Sequence, residues 1–227
     1  MTETGAEGSP TVKRLKVAAV FVHGLWLTGV ESLYLRKRIA ADRGFDCASF
    51  TYRTTAGSID GVVERLEKFV AGLAAERVHF VGHSLGGLVL YRYFEKPRDS
   101  RHGRVVLLGA PLVRSRTAEA VGKLPLIRSL VGGMVGAELG VPCARQWRCG
   151  HELGLIAGTR PMGLGQFFAR FDEDCDGTVA VSETKLPGYK AHVTLPVSHM
   201  GMLLSAEVAH EVGEFLANGS FMHRDAP

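Results

Sequence analysis

The chemistry-bearing stretch of this chain is Gly82-His83-Ser84-Leu85-Gly86-Gly87, which follows the apolar run Val78 to Val81 and precedes a helix-like segment over 88–94. A Gly-x-Ser-x-Gly between strand and helix predicts a nucleophile elbow. The small residues let the backbone turn sharply and lift the serine hydroxyl to the top of a sheet. A serine hydroxyl is a poor nucleophile at neutral pH. It needs a base to take its proton, and the base needs an acid to fix its tautomer and stabilise its charged form.

With such an elbow the partners follow in the chain order serine, acid, histidine. Six histidines follow Ser84: His102, His151, His192, His199, His210 and His223. His192 falls within the last apolar strand, His210 within the closing helix and His223 in the tail. His102 and His151 precede the acidic residues that suit the role. His199 lies just past the carboxyl end of the last strand, where a loop can swing it over the elbow, and is the expected base. Asp172, Asp174 and Asp176 crowd one short segment. Asp176 is followed by Gly177, which favours a tight turn that aims a carboxylate inward. Asp176 is the expected acid, with Asp174 as the second candidate.

The transition state also needs donors aimed at the developing oxyanion. The backbone N–H after the nucleophile, Leu85, is one. The other is expected from His23-Gly24-Leu25-Trp26, the loop after the first strand. There Gly24 lets the backbone come close to substrate and the Leu25 amide points inward. His23 reads as a structural hydrogen-bonding residue and Trp26 as a packing or pocket-lining one.

These residues resemble the α/β-hydrolase superfamily, specifically its small bacterial lipase and esterase branch. The resemblance rests on VFVHGLW at 20–26, VGHSLGG at 81–87, DGTV at 176–179 and VSHMGML at 197–203. It runs through nearly the whole chain after about Thr11, apart from 112–150. It implies Ser84, Asp176 and His199 as nucleophile, acid and base, Leu25 and Leu85 as oxyanion donors, and no cofactor. The implied activity is cleavage of a small-molecule ester or lipid through an acyl-enzyme. The same machinery serves an acyltransferase, thioesterase or amidase, and a hydrolase-fold binding protein with a vestigial site is the alternative of a different class.

The elements that must position these residues alternate along the chain. Strands are expected over 16–22, 46–52, 78–82, 104–109, 153–157 and 191–197, and helices over 31–41, 59–75, 88–94 and 206–216. In the second helix Val62, Val63, Leu66, Phe69, Val70 and Leu73 share one face, with Glu64, Arg65, Glu67 and Lys68 on the other. Apolar strands separated by crossover helices predict an α/β fold: a trimmed, mostly parallel sheet of about six strands with helices on both faces. One domain is expected over 11–220, flanked by tails at 1–10 and 221–227. Residues 112–150 break the rhythm. There apolar and basic residues are interrupted by Gly132, Gly133 and Gly136, as an insert that forms either a lid or pocket wall or a plain surface subdomain.

Composition sets outer limits. The 227 residues, 46% hydrophobic and 22% charged, suit one sizeable core. The balance of 27 basic against 23 acidic residues is mild and scattered, which argues against a nucleic-acid partner. The basic run from Arg92 to Arg104 reads as a solvated helix end and loop. No apolar run is long enough to span a bilayer, and the polar, glycine-rich Met1 to Pro10 is unlike a secretory leader. A cytoplasmic location is therefore expected, with Cys47, Cys143, Cys149 and Cys175 as reduced thiols. Residues 172–183 also fit a calcium-loop pattern, Asp172, Asp174, Asp176, Gly177 and Glu183 falling in register. Pro187 and Gly188 spoil the exiting helix and no second loop pairs with the first, so no metal is expected there.

Overall fold

The computed structural model describes residues 16–96, 99–113, 145–162 and 172–223. Six strands form one sheet: β1 (Val17–Val22), β2 (Asp46–Phe50), β3 (Arg77–His83), β4 (His102–Leu108), β5 (Leu153–Gly158) and β6 (Ala191–Leu195), in the order β2-β1-β3-β4-β5-β6. Every neighbouring pair is parallel. The expected α/β class and six-stranded parallel sheet are what the chain adopts. Between the strands lie α1 (Leu33–Arg43), α2 (Ile59–Ala71), α3 (Leu85–Phe94), a single turn α4 (Val181–Thr184) and the closing α5 (Ala206–Asn218). Residues 114–144, most of the proposed insert and including Cys143, lie outside the described residues, as do the amino-terminal tail and residues 224–227.

Both faces of the sheet are buried, which is why its central strands read as unbroken apolar runs rather than as an alternation. Successive side chains still point to opposite faces. Val20, Val22, Phe80, Val105 and Leu107 pack with α2 and α3, while Ala19, Phe21, Val81, Val106 and Leu108 pack with α1 and α5. On α2 the expected stripe is the buried one, with Val62, Val63, Leu66 and Val70 inside and Phe69 half-buried against them, as is Leu73 just past the helix end.

The helix ends follow local chemistry. The Ser58 hydroxyl accepts from Gly61 N at 3.2 Å to start α2, and the Ser205 hydroxyl accepts from Val208 N at 3.2 Å to start α5. Helix α2 stops at Ala71 rather than at the expected residue 75. There Arg101 takes the carbonyls of Val70, Leu73 and Ala75 at 2.8–3.1 Å while pairing with Asp99. Arg104 does the same for α5, donating to the carbonyls of Leu216 and Ala217 at 3.0 and 2.9 Å. The expectation of a merely solvated basic run is corrected here. Two of its arginines close helix carboxyl ends, where backbone carbonyls lack intrahelical partners and positive charge is favoured.

The strand order fixes where a site can form. From β1 the chain steps to β2 on one side and then to β3, β4, β5 and β6 on the other. The carboxyl ends of β1 and β3 therefore face a crevice from which their following loops diverge. Those loops carry Gly24 to Trp26 and the serine at 84.

Candidate active site

Ser84 sits between β3 and α3 with φ 53° and ψ −121°, one of two non-glycine residues at positive φ among the described residues. L-residues avoid this region, and such strain persists only where the surroundings over-determine it. Here they do. Ser84 N donates to Leu108 O at 2.9 Å, holding the turn to β4. A side chain at Gly86 would collide with the Val22 carbonyl, and one at Gly82 would put its Cβ 2.9 Å from Gly86 O. The glycines thus let α3 close tightly over β1 and β3, which lifts the serine to the sheet's upper rim.

On the other side of the crevice, the loop after β1 is anchored from below. Buried His23 makes a 2.9 Å hydrogen bond from Nδ1 to Gly24 O, and its Nε2 accepts from Tyr52 N at 3.2 Å. A ring nitrogen that accepts carries no proton, so His23 is neutral with its hydrogen on Nδ1. Burial lowers its pKa in the same sense, against a smaller opposing pull from the Gly24 carbonyl. The Tyr52 hydroxyl donates to His23 O at 2.8 Å, and Trp26, at φ 59°, donates its N–H to Thr54 Oγ1 at 3.1 Å. Gly24 packs directly on the elbow, since a Cβ there would lie 3.1 Å from Ser84 Cβ. Neither the Leu25 nor the Leu85 N–H donates within the described residues. The Leu85 amide also heads α3, where the helix presents partial positive charge. Trp26 is over half exposed on the outer side of this loop.

Asp176 is 1% exposed and forms part of a tight turn closed by the bridge between Cys175 and Ala180. With Gly177 at φ 93°, the amides of Thr178 and Val179 turn back onto Asp176 Oδ1 at 2.8 and 2.7 Å. The other oxygen, Oδ2, lies 2.7 Å from His199 Nδ1, and His199 N donates to the Asp176 carbonyl at 2.9 Å. An ionised carboxylate only accepts, so the proton of this contact sits on Nδ1 and leaves a lone pair on Nε2. The structure therefore joins two of the three expected residues, Asp176 and His199. Asp174 is exposed, and its backbone carbonyl accepts from Val181 N.

His199 in turn lies against the elbow. Its ring is 4.7 Å, centroid to centroid, from that of His83, the residue before the serine, and its carbonyl is 3.0 Å from His83 Nε2. The hydrogen bonds of the described residues do not include one from the Ser84 hydroxyl to His199. Such bonds are often long before substrate arrives and tighten on binding. Sequence reasoning gave no positioning role to His83, Tyr52 or Thr54. Only its place beside the serine could have pointed to His83, while Tyr52 and Thr54 meet the loop after β1 through contacts that no local pattern encodes.

The acidic segment is held by hydrogen bonds within the protein. Both oxygens of Asp176 accept from N–H groups of the protein, and Glu173 accepts from Ser182 N and Oγ at 3.2 and 2.8 Å. Among the described residues no three His, Cys, Asp or Glu side chains converge as ligands would. Phe167, Phe168 and Phe171, which precede the acidic segment in sequence, lie outside the described residues.

A doubly wound parallel sheet with a strained serine between strand and helix, and a buried carboxylate–histidine pair at the same rim, defines a class of hydrolase scaffolds. A family model described as the alpha/beta hydrolase family matches residues 19–203. The chain belongs to that family. Solved structures with the same fold include the mature Bacillus licheniformis lipase BlEst2, with TM-score 0.63 and 16% identity over 94% of this chain and 97% of that one. A pyrethroid hydrolase, PytH, matches with TM-score 0.63 and 14% identity over 89% of this chain and 99% of that one. The Vlm2 thioesterase domain matches with TM-score 0.59 and 16% identity, over 92% and 94%. No curated protein matches in sequence. No helix among the described residues is long and apolar enough to cross a membrane.

Proposed function

We propose that this chain is a serine hydrolase that cleaves carboxylic esters through an acyl-enzyme. Ser84 Oγ attacks the ester carbonyl as His199 Nε2 takes its proton. Asp176 holds the imidazole in the required tautomer and stabilises the imidazolium. The negative charge that develops on the carbonyl oxygen is met by the N–H groups of Leu25 and Leu85. The protonated Nε2 then passes its hydrogen to the departing alcohol. In the second half, His199 activates a water that attacks the acyl-enzyme, and Ser84 leaves with its proton restored. Every step uses groups of this chain and needs no cofactor.

The observation that carries the reading is the serine held at φ 53° on a helix amino end, with the neighbouring His83 packed against an imidazole fixed by a 2.7 Å bond to a buried carboxylate. Strain, idle backbone donors and an oriented base together favour acyl transfer from an ester to an activated hydroxyl. A fluorophosphonate probe tests it. The wild-type chain labels at one site and the labelling disappears in Ser84→Ala, whereas a folded wild type left untouched points to a binding protein with a retired site. A chain-length series of nitrophenyl esters then ranks acyl size.

The likeness to a thioesterase domain over nearly the whole chain favours a second reading, cleavage of a thioester by the same residues. Oxygen and sulfur leaving groups place the same oxyanion between Leu25 and Leu85, so the two readings share their mechanism. Comparing kcat/KM for an acyl ester and the matched thioester separates them.

A further inference from the structure

We propose that His83 is a positioning residue, which ties the loop of the base His199 to the nucleophile elbow through a hydrogen bond from its ring to the His199 backbone carbonyl. The inference rests on the hydrolase reading above for what is being positioned. The bond itself is a feature of the fold.

His83 ends β3 and is 1% exposed. Its Nε2 lies 3.0 Å from His199 O. A carbonyl can only accept, so the proton of His83 sits on Nε2 and Nδ1 keeps a lone pair. That Nδ1 is buried with no hydrogen-bond partner among the described residues, and it faces Gly24, whose Cβ position lies 3.2 Å away. A buried acceptor without a partner carries a desolvation cost that an apolar side chain of similar volume would avoid. For packing alone, leucine would serve this position better. What the imidazole adds is one directed bond and one ring contact, both to His199.

The loop that carries His199 has two backbone tethers at that residue. Its N–H reaches the Asp176 carbonyl at 2.9 Å, and its carbonyl receives His83. The first ties the base to its acid and the second ties it to the end of β3, directly before the serine. Without the second, the acid–base pair stays intact but is free to drift as a unit from Ser84. A shift of about 1 Å at such a contact is enough to slow a reaction by roughly 100-fold. Gly24 completes the arrangement by leaving room for the ring and for Ser84 Cβ at once.

The charge state suits the task. Burial above all, and next the neighbouring His199, push His83 down to about 3, against a smaller raising effect from the bond to the His199 carbonyl. The groups facing it are His199 and His23, with Asp176 beyond the His199 ring. His83 therefore stays neutral while His199 takes and returns a proton, and it does not compete for that proton.

Three chains test this: wild type, His83→Gln and His83→Leu. A glutamine side-chain amide reaches about as far as Nε2 and keeps a donor there, whereas leucine keeps the volume alone. We expect His83→Leu to lower kcat by roughly 10- to 100-fold with KM changed less than about 2-fold. His83→Gln should recover kcat to within about 3-fold of wild type. Proton NMR without substrate gives a readout independent of turnover. The downfield signal of His199 Nδ1–H, bonded to Asp176, should be sharp in wild type and His83→Gln and exchange-broadened in His83→Leu. A folded His83→Leu with wild-type kcat and a sharp signal overturns the proposal. Should His83→Leu not fold, His83→Gln decides: a sharp signal supports the tether, and a broadened one with native Tm overturns it. A wild type that ignores the fluorophosphonate probe sinks the hydrolase reading instead, while the NMR comparison still reports whether His83 holds His199.

Discussion

At the amino end of the sheet, His79, His102 and His151 border a cavity of about 500 Å3 together with Arg77, Arg104 and Glu152. At the carboxyl end lie His23, His83 and His199, with Ser84 directly after His83. Each end thus gathers three imidazoles and several backbone termini, and the chemistry available at the two differs all the same. At the amino end most polar atoms are occupied by structural partners, although His102 Nδ1 is buried without one. His79 Nδ1 accepts from Arg104 N at 2.9 Å, His102 Nε2 meets the Tyr93 hydroxyl at 2.9 Å, and Arg104 Nε holds Glu152 at 2.5 Å. Burial, helped by nearby arginines, pushes His79 down to about 4, and burial does the same for His102. At the carboxyl end a serine is held at positive φ, the Leu25 and Leu85 amides donate to no group among the described residues, and one imidazole is oriented by a carboxylate. A cluster of histidines with displaced pKa values is therefore weak as a marker of catalysis. Strain and unspent donors converging on one point are stronger.

The largest effect that would break this contrast is on turnover. Asp176→Asn keeps the two amide bonds to Oδ1 but no longer enforces the Nδ1–H tautomer of His199. It should lower kcat by roughly 10³- to 10⁴-fold while the chain stays folded. His102→Phe at the opposite end keeps the aromatic contacts with Phe80 and Phe94 and should leave kcat within about 2-fold. Steady-state kinetics on a nitrophenyl ester checks both. A His102 variant that loses activity as Asp176→Asn does would show that the two ends are not separate in function.

The next effect is on stability and involves both ends at once. His79, His83 and His102 have folded-state values of about 4, 3 and 4 against an ordinary 6.5 in the unfolded chain. His23 and His151 are lowered as well, in both cases chiefly by burial. Between those values the unfolded chain binds more protons than the folded one. Stability is therefore full above about pH 6.5 and is lost progressively as the pH falls toward 4 and below. A loss of a few kcal/mol across that window would lower Tm by roughly 2–4 °C per kcal/mol for a chain of this size. Calorimetry in steps from pH 7 to pH 4 reads it. His102→Phe should flatten only part of the slope, because the share of His83 belongs to the other end.

Much of this was legible in the sequence because each signal was local. The six apolar runs became strands within a residue or two of their expected ends, and Asp176-Gly177 made the inward turn its dipeptide suggests. Helix α3 was misread at its start. Gly86 and Gly87 have poor helix propensity, so the helix was expected from Leu88, yet it begins at Leu85. Close approach to β1 requires small residues there, and that requirement outweighs propensity. The basic run was misread for a related reason. Its composition says solvent, but Arg101 and Arg104 meet carbonyls that come from far along the chain. Contacts of that kind, like those of Tyr52, Thr54 and His83, are set by which loops the topology brings together.

The smallest expected effect tests whether the amino end is structural. Arg104 sits near the start of β4, its side chain 29% exposed. It bonds Glu152 at one side and the last carbonyls of α5 at the other. Arg104→Ala leaves those carbonyls to water and removes a favourable charge from the helix end. After discounting for solvent exposure the expected loss is about 1–2 kcal/mol, seen as a Tm lowered by roughly 2–8 °C with kcat unchanged. Arg104→Lys restores a charge but not the planar fork that reaches both partners, so it should recover less than the full difference. If Arg104→Ala instead lowered kcat while Tm held, the cavity beside it would have to be part of the working enzyme. The distinction between a structural end and a reactive end would then fail at its most lightly loaded point.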